Sequence, residues 1–204
     1  MPDYTSHVVM DAAFTPEQCA AVVALGESLQ VAGGAVVGVA SAVEGDGGDG
    51  TSTDLALRRS KVAWIGRSDA SAWLFDRLSE LVVRANRTWR LDLHGFEEDL
   101  QYTLYDEPGS FYTWHQDGLD GDVATRKLAL VVQLTDPAEY EGADLEMFDV
   151  VTDWEPEDLA SWRERVRALG TVVAFPAFEY HRVTPLVSGV RRSLVVWISG
   201  PPFR

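Results

Sequence analysis

A single cysteine, Cys19, in 204 residues excludes an intramolecular disulfide framework and a thiolate metal cluster. Positive charge is also scarce: 17 lysines and arginines against 32 acids leave a formal net charge of −15. Such a chain lacks the basic surface that neutralises nucleic-acid phosphates, and anionic membranes repel it. A neutral or cationic substrate, or one anion held by a buried arginine, stays open. No apolar run is long enough to span a bilayer. The opening MPDYTSHVVMDAAF has no basic stretch followed by an apolar one, so no signal peptide is read and a cytoplasmic protein is expected. Repeats and linker-like composition are missing too, which points to one domain over 1–204. With 46% hydrophobic and 10% aromatic residues, the chain has enough apolar material for a substantial core. Nothing in it sets an oligomeric state.

Val8–Met10 reads as a short strand, and Thr15-Pro16-Glu17 as a helix start with a threonine cap and proline in the first turn. That helix would turn Cys19, Val22, Val23 and Leu29 to the core. Gly33 to Gly50 is glycine-rich and free of aromatics, a surface loop or a lid over a site. Arg58–Ile65 regains strand character. Ser68 or Asp69 would cap a second helix whose Trp73, Leu74, Leu78, Leu81, Val82, Ala85 and Trp89 recur at helical spacing. Seven strands are then predicted, at Asp99–Tyr105, Tyr112–Gln116, Leu128–Leu134, Asp144–Phe148, Thr171–Phe175, His181–Val183 and Arg192–Ile198, interrupted by one helical insertion, PEDLASWRERVRAL. The fold class expected is α+β, mainly β: a double-stranded β-helix (jelly roll) with the N-terminal helices packed on the outer face of one sheet.

The chemistry gathers at FYTWHQD. In a strand, residues i and i+2 share a face, so His115 and Asp117 project side by side as two cis ligands. One more neutral nitrogen, best supplied by His181 in FPAFEYHRVTP, gives the two-histidine, one-carboxylate facial set that leaves three positions open on iron(II). Arg191 and Ser193 share a face at the head of the last strand, where a guanidinium fork and a hydroxyl can hold one carboxylate. Tyr102 and Tyr105, upstream of the metal motif, can each donate a phenolic hydrogen bond to it. Tyr112, Trp114, Lys127, Gln133 and Trp197 are candidates for the substrate cleft or the core. His7, His94 and the acidic turn DGLDGD are read as ordinary polar features.

These pieces, in this order, resemble the iron(II)- and 2-oxoglutarate-dependent dioxygenases of the prolyl 4-hydroxylase-like branch. The segments carrying the likeness are QYTLYDEPGSFYTWHQDG, RKLALVVQLTDPAEYEGADLEMF and GTVVAFPAFEYHRVTPLVSGVRRSLVVWISGPPFR, about the last hundred residues. Two departures stand out: Gly142-Ala143 replaces the usual Gly-Gly turn, and a helix around Trp162 is inserted. The resemblance implies that His115, Asp117 and His181 hold Fe(II). It implies that 2-oxoglutarate chelates the metal and pairs its far carboxylate with Arg191, assisted by Ser193 and by Tyr102 or Tyr105. Dioxygen would be the other cosubstrate and ascorbate an optional addition. The activity implied is hydroxylation of an unactivated C–H of a peptidyl or free amino acid (prolyl-type) or a small natural product, with succinate and CO2 released. An alanine or glycine at Asp117 would have suggested halogenation instead. The competing reading is a non-catalytic jelly-roll or cupin-like binding module, which has no need of the Arg191-x-Ser193 pair.

Overall fold

The computed structural model describes residues 4–29, 32–33 and 57–203. The glycine-rich stretch expected to be a loop or lid lies almost wholly outside the described residues. In chain order the elements are β1 (Val8–Met10), α1 (Pro16–Glu27), β2 (Ala32–Gly33), β3 (Arg58–Arg59), β4 (Lys61–Ile65), α2 (Ala72–Asn86), β5 (Leu100–Tyr105) and β6 (Phe111–His115). Then follow β7 (Arg126–Gln133), β8 (Tyr140–Gly142), β9 (Leu145–Met147), α3 (Phe148–Asp153), α4 (Pro156–Arg167), β10 (Val172–Pro176), β11 (His181–Val183), β12 (Leu186–Gly189) and β13 (Arg191–Ser199). No helix among the described residues is long and apolar enough to cross a membrane.

The strands form a seven-stranded sheet, ordered β1-β10-β7-β13-β5-β4-β2, and a four-stranded sheet, β3-β6-β11-β9, with β12 and β8 as a separate pair. Every pairing is antiparallel. Period-two alternation gives the large sheet two apolar faces. On one face Tyr102, Leu128, Leu130, Val132, Val172, Ala174, Leu194, Val196 and Ile198 pack with Cys19 and Val22 of α1 and with Leu74, Phe75, Leu78, Leu81, Val82 and Ala85 of α2. On the other, Ala129, Val131, Val173, Phe175 and Trp197 meet Leu145 and Met147 of the small sheet and Trp162 and Val166 of α4. Two sheets therefore share one core while both N-terminal helices cover a single outer face.

The local signals explain most element starts. Thr15 caps α1 in a capping box: its hydroxyl accepts from Gln18 N, and Gln18 Oε1 accepts from Thr15 N. Several expectations need correction. Leu29, expected inward, lies past the end of α1 and is exposed. The cap position of α2 is Ser71, whose hydroxyl donates to Gly66 O, rather than Ser68 or Asp69. Trp89 lies beyond α2 and donates to Thr5 O at 2.6 Å. The stretch Arg58–Ile65 is two strands, because at Ser60 the chain leaves the small sheet, where Arg58 faces Tyr112, and enters the large one, where Lys61 faces Leu104. The segment LVSGV, outside the seven expected strands, contains β12, which pairs with β8.

Ala143, at the position of the departure from Gly-Gly, has φ +49° and is fully buried. A left-handed backbone is what glycine serves best, and an alanine there costs about 1 kcal/mol.

Candidate functional site

The ends of β6 and β11 are adjacent, and their register sets His115 directly opposite His181. Asp117 lies two residues past His115, in a turn pinned by Asp117 N and Gly118 N, which both donate to Ala177 O at 2.9 and 3.0 Å. Gly118 is needed there, since a Cβ on it would lie 2.6 Å from Arg126 Cβ. The ligand atoms of His115, Asp117 and His181 all fall within 4.8 Å of one another. Each Asp117 oxygen faces one imidazole, Oδ1 at 3.6 Å from His115 Nε2 and Oδ2 at 3.6 Å from His181 Nε2.

The tautomers follow from the backbone. His115 Nδ1 lies 2.8 Å from Thr113 O, and His181 Nδ1 lies 3.0 Å from Glu179 O. A carbonyl oxygen only accepts, so each Nδ1 carries the proton and each Nε2 turns its lone pair to the shared point. Burial, with His115 nearby, lowers the His181 pKa to about 4 despite Asp117, so the ring is neutral at physiological pH. Asp117 is buried, which by itself opposes ionisation, but the charge His181 and His115 carry once protonated, together with Arg126, outweighs this and holds its carboxyl well below the usual range. Asp117 Oδ2 is buried with no hydrogen-bond partner among the described residues. Two imidazole Nε2 atoms and an orphaned carboxylate oxygen converging on one point fit a divalent cation. Arg126 steadies this turn: its Nη1 donates to Asp117 O at 3.2 Å, its guanidinium stacks 3.7 Å from the Trp197 ring centroid, and it pairs with Glu98.

The triad lines a cavity between the sheets together with Arg58, Gln101, Thr103, Tyr105, Tyr112, Val131, Leu145, Val183, Arg191, Ser193, Val195 and Trp197. Arg191 is 1% exposed; Nη2 donates to Gln133 Oε1 at 3.0 Å, while Nη1 is buried without a partner among the described residues. Alternation along β13 sends Arg191 and Ser193 inward, whereas Arg192 turns out to pair with Glu27 of α1 at 2.9 Å. Of the two tyrosines, Tyr105 lines the cavity and lies 5.4 Å from the Arg191 guanidinium. Tyr102 does not: it lies on the opposite face of β5, so close to α1 that a Cβ on Gly26 would sit 2.4 Å from its ring. Alternation already forbade the pair from sharing a face with Arg191, because they are three residues apart.

Among the cleft candidates, Tyr112 and Trp197 line the cavity and Gln133 holds Arg191. Trp114 lies instead on the outside of the small sheet, packed edge-on against Phe148 and beneath Arg182. The Lys127 ammonium lies 3.0 Å from the Phe203 ring centroid. His7 is wedged against Trp162, whose Nε1 donates to its Nε2 at 2.8 Å, and the DGLDGD turn is mostly exposed. Simple alternation would turn Tyr112 away from His115. A register shift places three steps of β6 opposite two of β11, a β-bulge that brings Tyr112 onto the inner face. There its ring stacks on His115 with centroids 3.5 Å apart and lies 4.7 Å from the Arg58 guanidinium. Arg58, Gln101 and Thr103 escaped the sequence reading, although Gln101 and Thr103 are marked by their period-two spacing from Tyr105.

Residues 100–199 match the family model described as the 2OG-Fe(II) oxygenase superfamily. A PKHD-type hydroxylase of Synechococcus sp. (strain CC9902) is 30% identical over 92 residues, covering 45% of this chain and 37% of that protein. One from Klebsiella pneumoniae is 32% identical over 96 residues, 45% of this chain and 39% of its own length. The chain thus spans under two fifths of the length of these curated relatives. A prolyl-4-hydroxylase from Pseudomonas putida superposes with a TM-score of 0.63 at 20% identity, over 95% of this chain and 92% of that one. A Trichoplax adhaerens prolyl hydroxylase, solved with a peptide fragment of the hypoxia inducible factor oxygen degradation domain, gives 0.66 at 16% identity, over 95% and 83%. At these identities the superpositions establish a shared fold.

Proposed function

We propose, from the match of residues 100–199 to the family model described as the 2OG-Fe(II) oxygenase superfamily, that the chain is an iron(II)- and 2-oxoglutarate-dependent dioxygenase acting as a hydroxylase. The reading treats 1–204 as one oxygenase domain whose two sheets form a double-stranded β-helix. Its substrate is a peptidyl or free amino acid, prolyl-type, or a small natural product. The observation that carries it is one cavity lined both by the converging His115, Asp117 and His181 and by Arg191, whose Nη1 is buried without a partner among the described residues.

In this reading His115, Asp117 and His181 hold the metal, and Arg191, with Ser193 and Tyr105 beside it, receives the far carboxylate of 2-oxoglutarate. When bound, iron(II), 2-oxoglutarate and dioxygen supply the oxidant for C–H hydroxylation, the cosubstrate leaving as succinate and CO2. The protein's own share is placement. Thr113 O and Glu179 O fix both imidazole planes, the Ala177 carbonyl and Arg126 fix the Asp117 turn, and the apolar walls Val131, Leu145 and Val195 keep water away. Tyr112, stacked on His115 beside Arg58, and Trp197, whose Nε1 is buried without a partner among the described residues, offer a substrate an aromatic wall and a donor.

The test is succinate formation across a panel of amino acids and prolyl peptides, with mass spectrometry reading a gain of one oxygen and Asp117→Ala as control. Wild-type protein should form succinate with at least one substrate, and the variant none. Equal succinate from both would remove the triad from the reaction. Metal binding without turnover on any substrate would favour the non-catalytic module.

A further inference from the structure

Across the inner face of the large sheet, the register sets Ser193 directly opposite Thr103 on β5 and opposite Gln133 on β7. All three are buried, and they form a polar row beside Arg191 in a wall otherwise built of Val131, Val195 and Ala129. Two facts about this row stand out. Among the described residues the hydrogen-bond partner of Arg191 is the carboxamide of Gln133, which accepts from Nη2 and leaves Nη1 unpaired. Thr103 Oγ1, in the cavity wall, is likewise buried without a partner among the described residues.

A buried guanidinium is normally matched by a carboxylate, because an uncompensated buried charge is costly. Buried Arg126 faces Glu98, and the more exposed Arg163, Arg182, Arg165 and Arg167 also meet acids, the first two sharing Glu146 and the others facing Asp11 and Asp144; buried Arg58 donates to Gln101 Oε1 at 3.1 Å. Arg191 is the most buried of them and is given a neutral acceptor instead. A carboxamide oxygen fixes the plane of the guanidinium as a carboxylate would, but leaves its full positive charge for something else.

We infer that Gln133 is a positioning residue that selects the cosubstrate by charge, holding Arg191 oriented yet unneutralised so that the cavity accepts a 2-oxo acid only when its far end is anionic, with the Thr103 hydroxyl completing the donor set. This rests on the 2-oxoglutarate reading above and adds the determinant of its selectivity. It predicts that a glutamate at 133, nearly identical in shape, keeps the fold and the metal but cancels the anion site. A 2-oxo acid of the same chain length without the far carboxylate, 2-oxovalerate, would then compete.

The experiment is anaerobic titration of the Fe(II)-loaded full chain with 2-oxoglutarate and with 2-oxovalerate, following the visible charge-transfer band. Wild-type protein should prefer 2-oxoglutarate by about 100-fold or more, as expected for loss of a buried charge-assisted contact. Gln133→Glu should weaken 2-oxoglutarate by a similar factor while leaving 2-oxovalerate and Mn(II) affinity within about threefold, and Thr103→Val should cost about tenfold on 2-oxoglutarate alone. Retention of wild-type selectivity by Gln133→Glu overturns the inference. Should that variant not fold, Gln133→Leu decides: about tenfold weaker 2-oxoglutarate binding with Mn(II) affinity unchanged supports it, and no change overturns it. A wild-type protein that shows no band with 2-oxoglutarate defeats the functional reading itself.

Discussion

Replacing Arg191 by methionine should move stability and cosubstrate binding in opposite directions. The guanidinium is 1% exposed, makes one hydrogen bond, to Gln133, and has Nη1 unpaired among the described residues. In the ligand-free protein it is therefore an uncompensated buried cation, and its desolvation cost is borne by the fold. Methionine follows the same unbranched path for four heavy atoms, and the cavity beside it takes up part of the guanidinium's volume. Exchanging buried ionic groups for apolar ones of similar volume is often stabilising by about 1–4 kcal/mol, and the lost bond to Gln133 returns about 1 kcal/mol. A net gain of about 1–2 kcal/mol corresponds to a rise of about 2–8 °C in Tm for a domain of this size. With 2-oxoglutarate the sign reverses, since a carboxylate brought to an apolar wall loses its charge-assisted bonds, worth about 1.5–3 kcal/mol each. The assay is thermal unfolding of Mn(II)-loaded wild type and Arg191→Met across a 2-oxoglutarate series. Ligand should raise the wild-type Tm by the linkage expression RT ln(1 + [L]/Kd) and leave the variant flat. A variant less stable than wild type without ligand, yet still stabilised by 2-oxoglutarate, would refute the assignment of Arg191 as an anion receptor.

Gly26→Ala places a methyl 2.4 Å from the Tyr102 ring, so α1 or the ring must shift; denaturant unfolding should show a loss of about 1–3 kcal/mol, which a double-mutant cycle should find restored in the Tyr102→Ala background, itself destabilised by the lost ring. No restoration would mean that the two do not meet. The metal-free protein should also lose stability in acid through His181. Its folded pKa, about 4, lies below the ordinary 6.5, so its contribution is complete above pH 6.5 and falls as the unfolded chain takes up the proton first. The loss accumulates between pH 6.5 and about 4, to about 3 kcal/mol at most. Asp117, whose carboxyl is also depressed, adds a further loss below the ordinary carboxylate range, about pH 4. His181→Gln should flatten the upper part of that profile in urea titrations at pH 5 and 7.5, and an unchanged slope would contradict it.

Some of this site was readable from residue types and spacing, and the rest was hidden for identifiable reasons. His115, Asp117 and His181 needed only period-two logic and a count of available nitrogens, because the chain has four histidines and few rivals. Arg191 could be separated from Arg192 only by knowing which face of β13 is inward, and the structure settles that through the Arg192–Glu27 contact with α1. Strand-length expectations held where apolar runs are long, as in β7 and β13. They failed for three- and four-residue elements such as β8 and β12, whose pairing depends on the partner rather than on their own sequence. Arg58 was hidden because the Ser60 crossing between sheets leaves no local trace beyond one polar residue in a strand-like run.

Tyr112 shows the deeper limit. Period two assigns it to the face opposite His115, and any reading from alternation alone puts it outside the cavity. The bulge opposite His181–Val183 reverses this, and no glycine in Phe111–His115 announces it. The cause lies across the sheet: β11 must bring His181 level with His115 at one end while still reaching Val183 opposite Tyr112 at the other, so β6 absorbs one extra residue. Thr113 lies inside the bulged segment, and its carbonyl is the one that orients His115 Nδ1. One irregularity therefore does two jobs, aiming a histidine and setting an aromatic ring against it. Replacing Thr113 by proline would leave that carbonyl in place but remove the donor Thr113 N to Leu57 O, a 2.9 Å bond. If the bulge is what aims His115, Mn(II) affinity should fall well before the fold is lost on heating. Parallel loss of both would assign the bulge to stability alone.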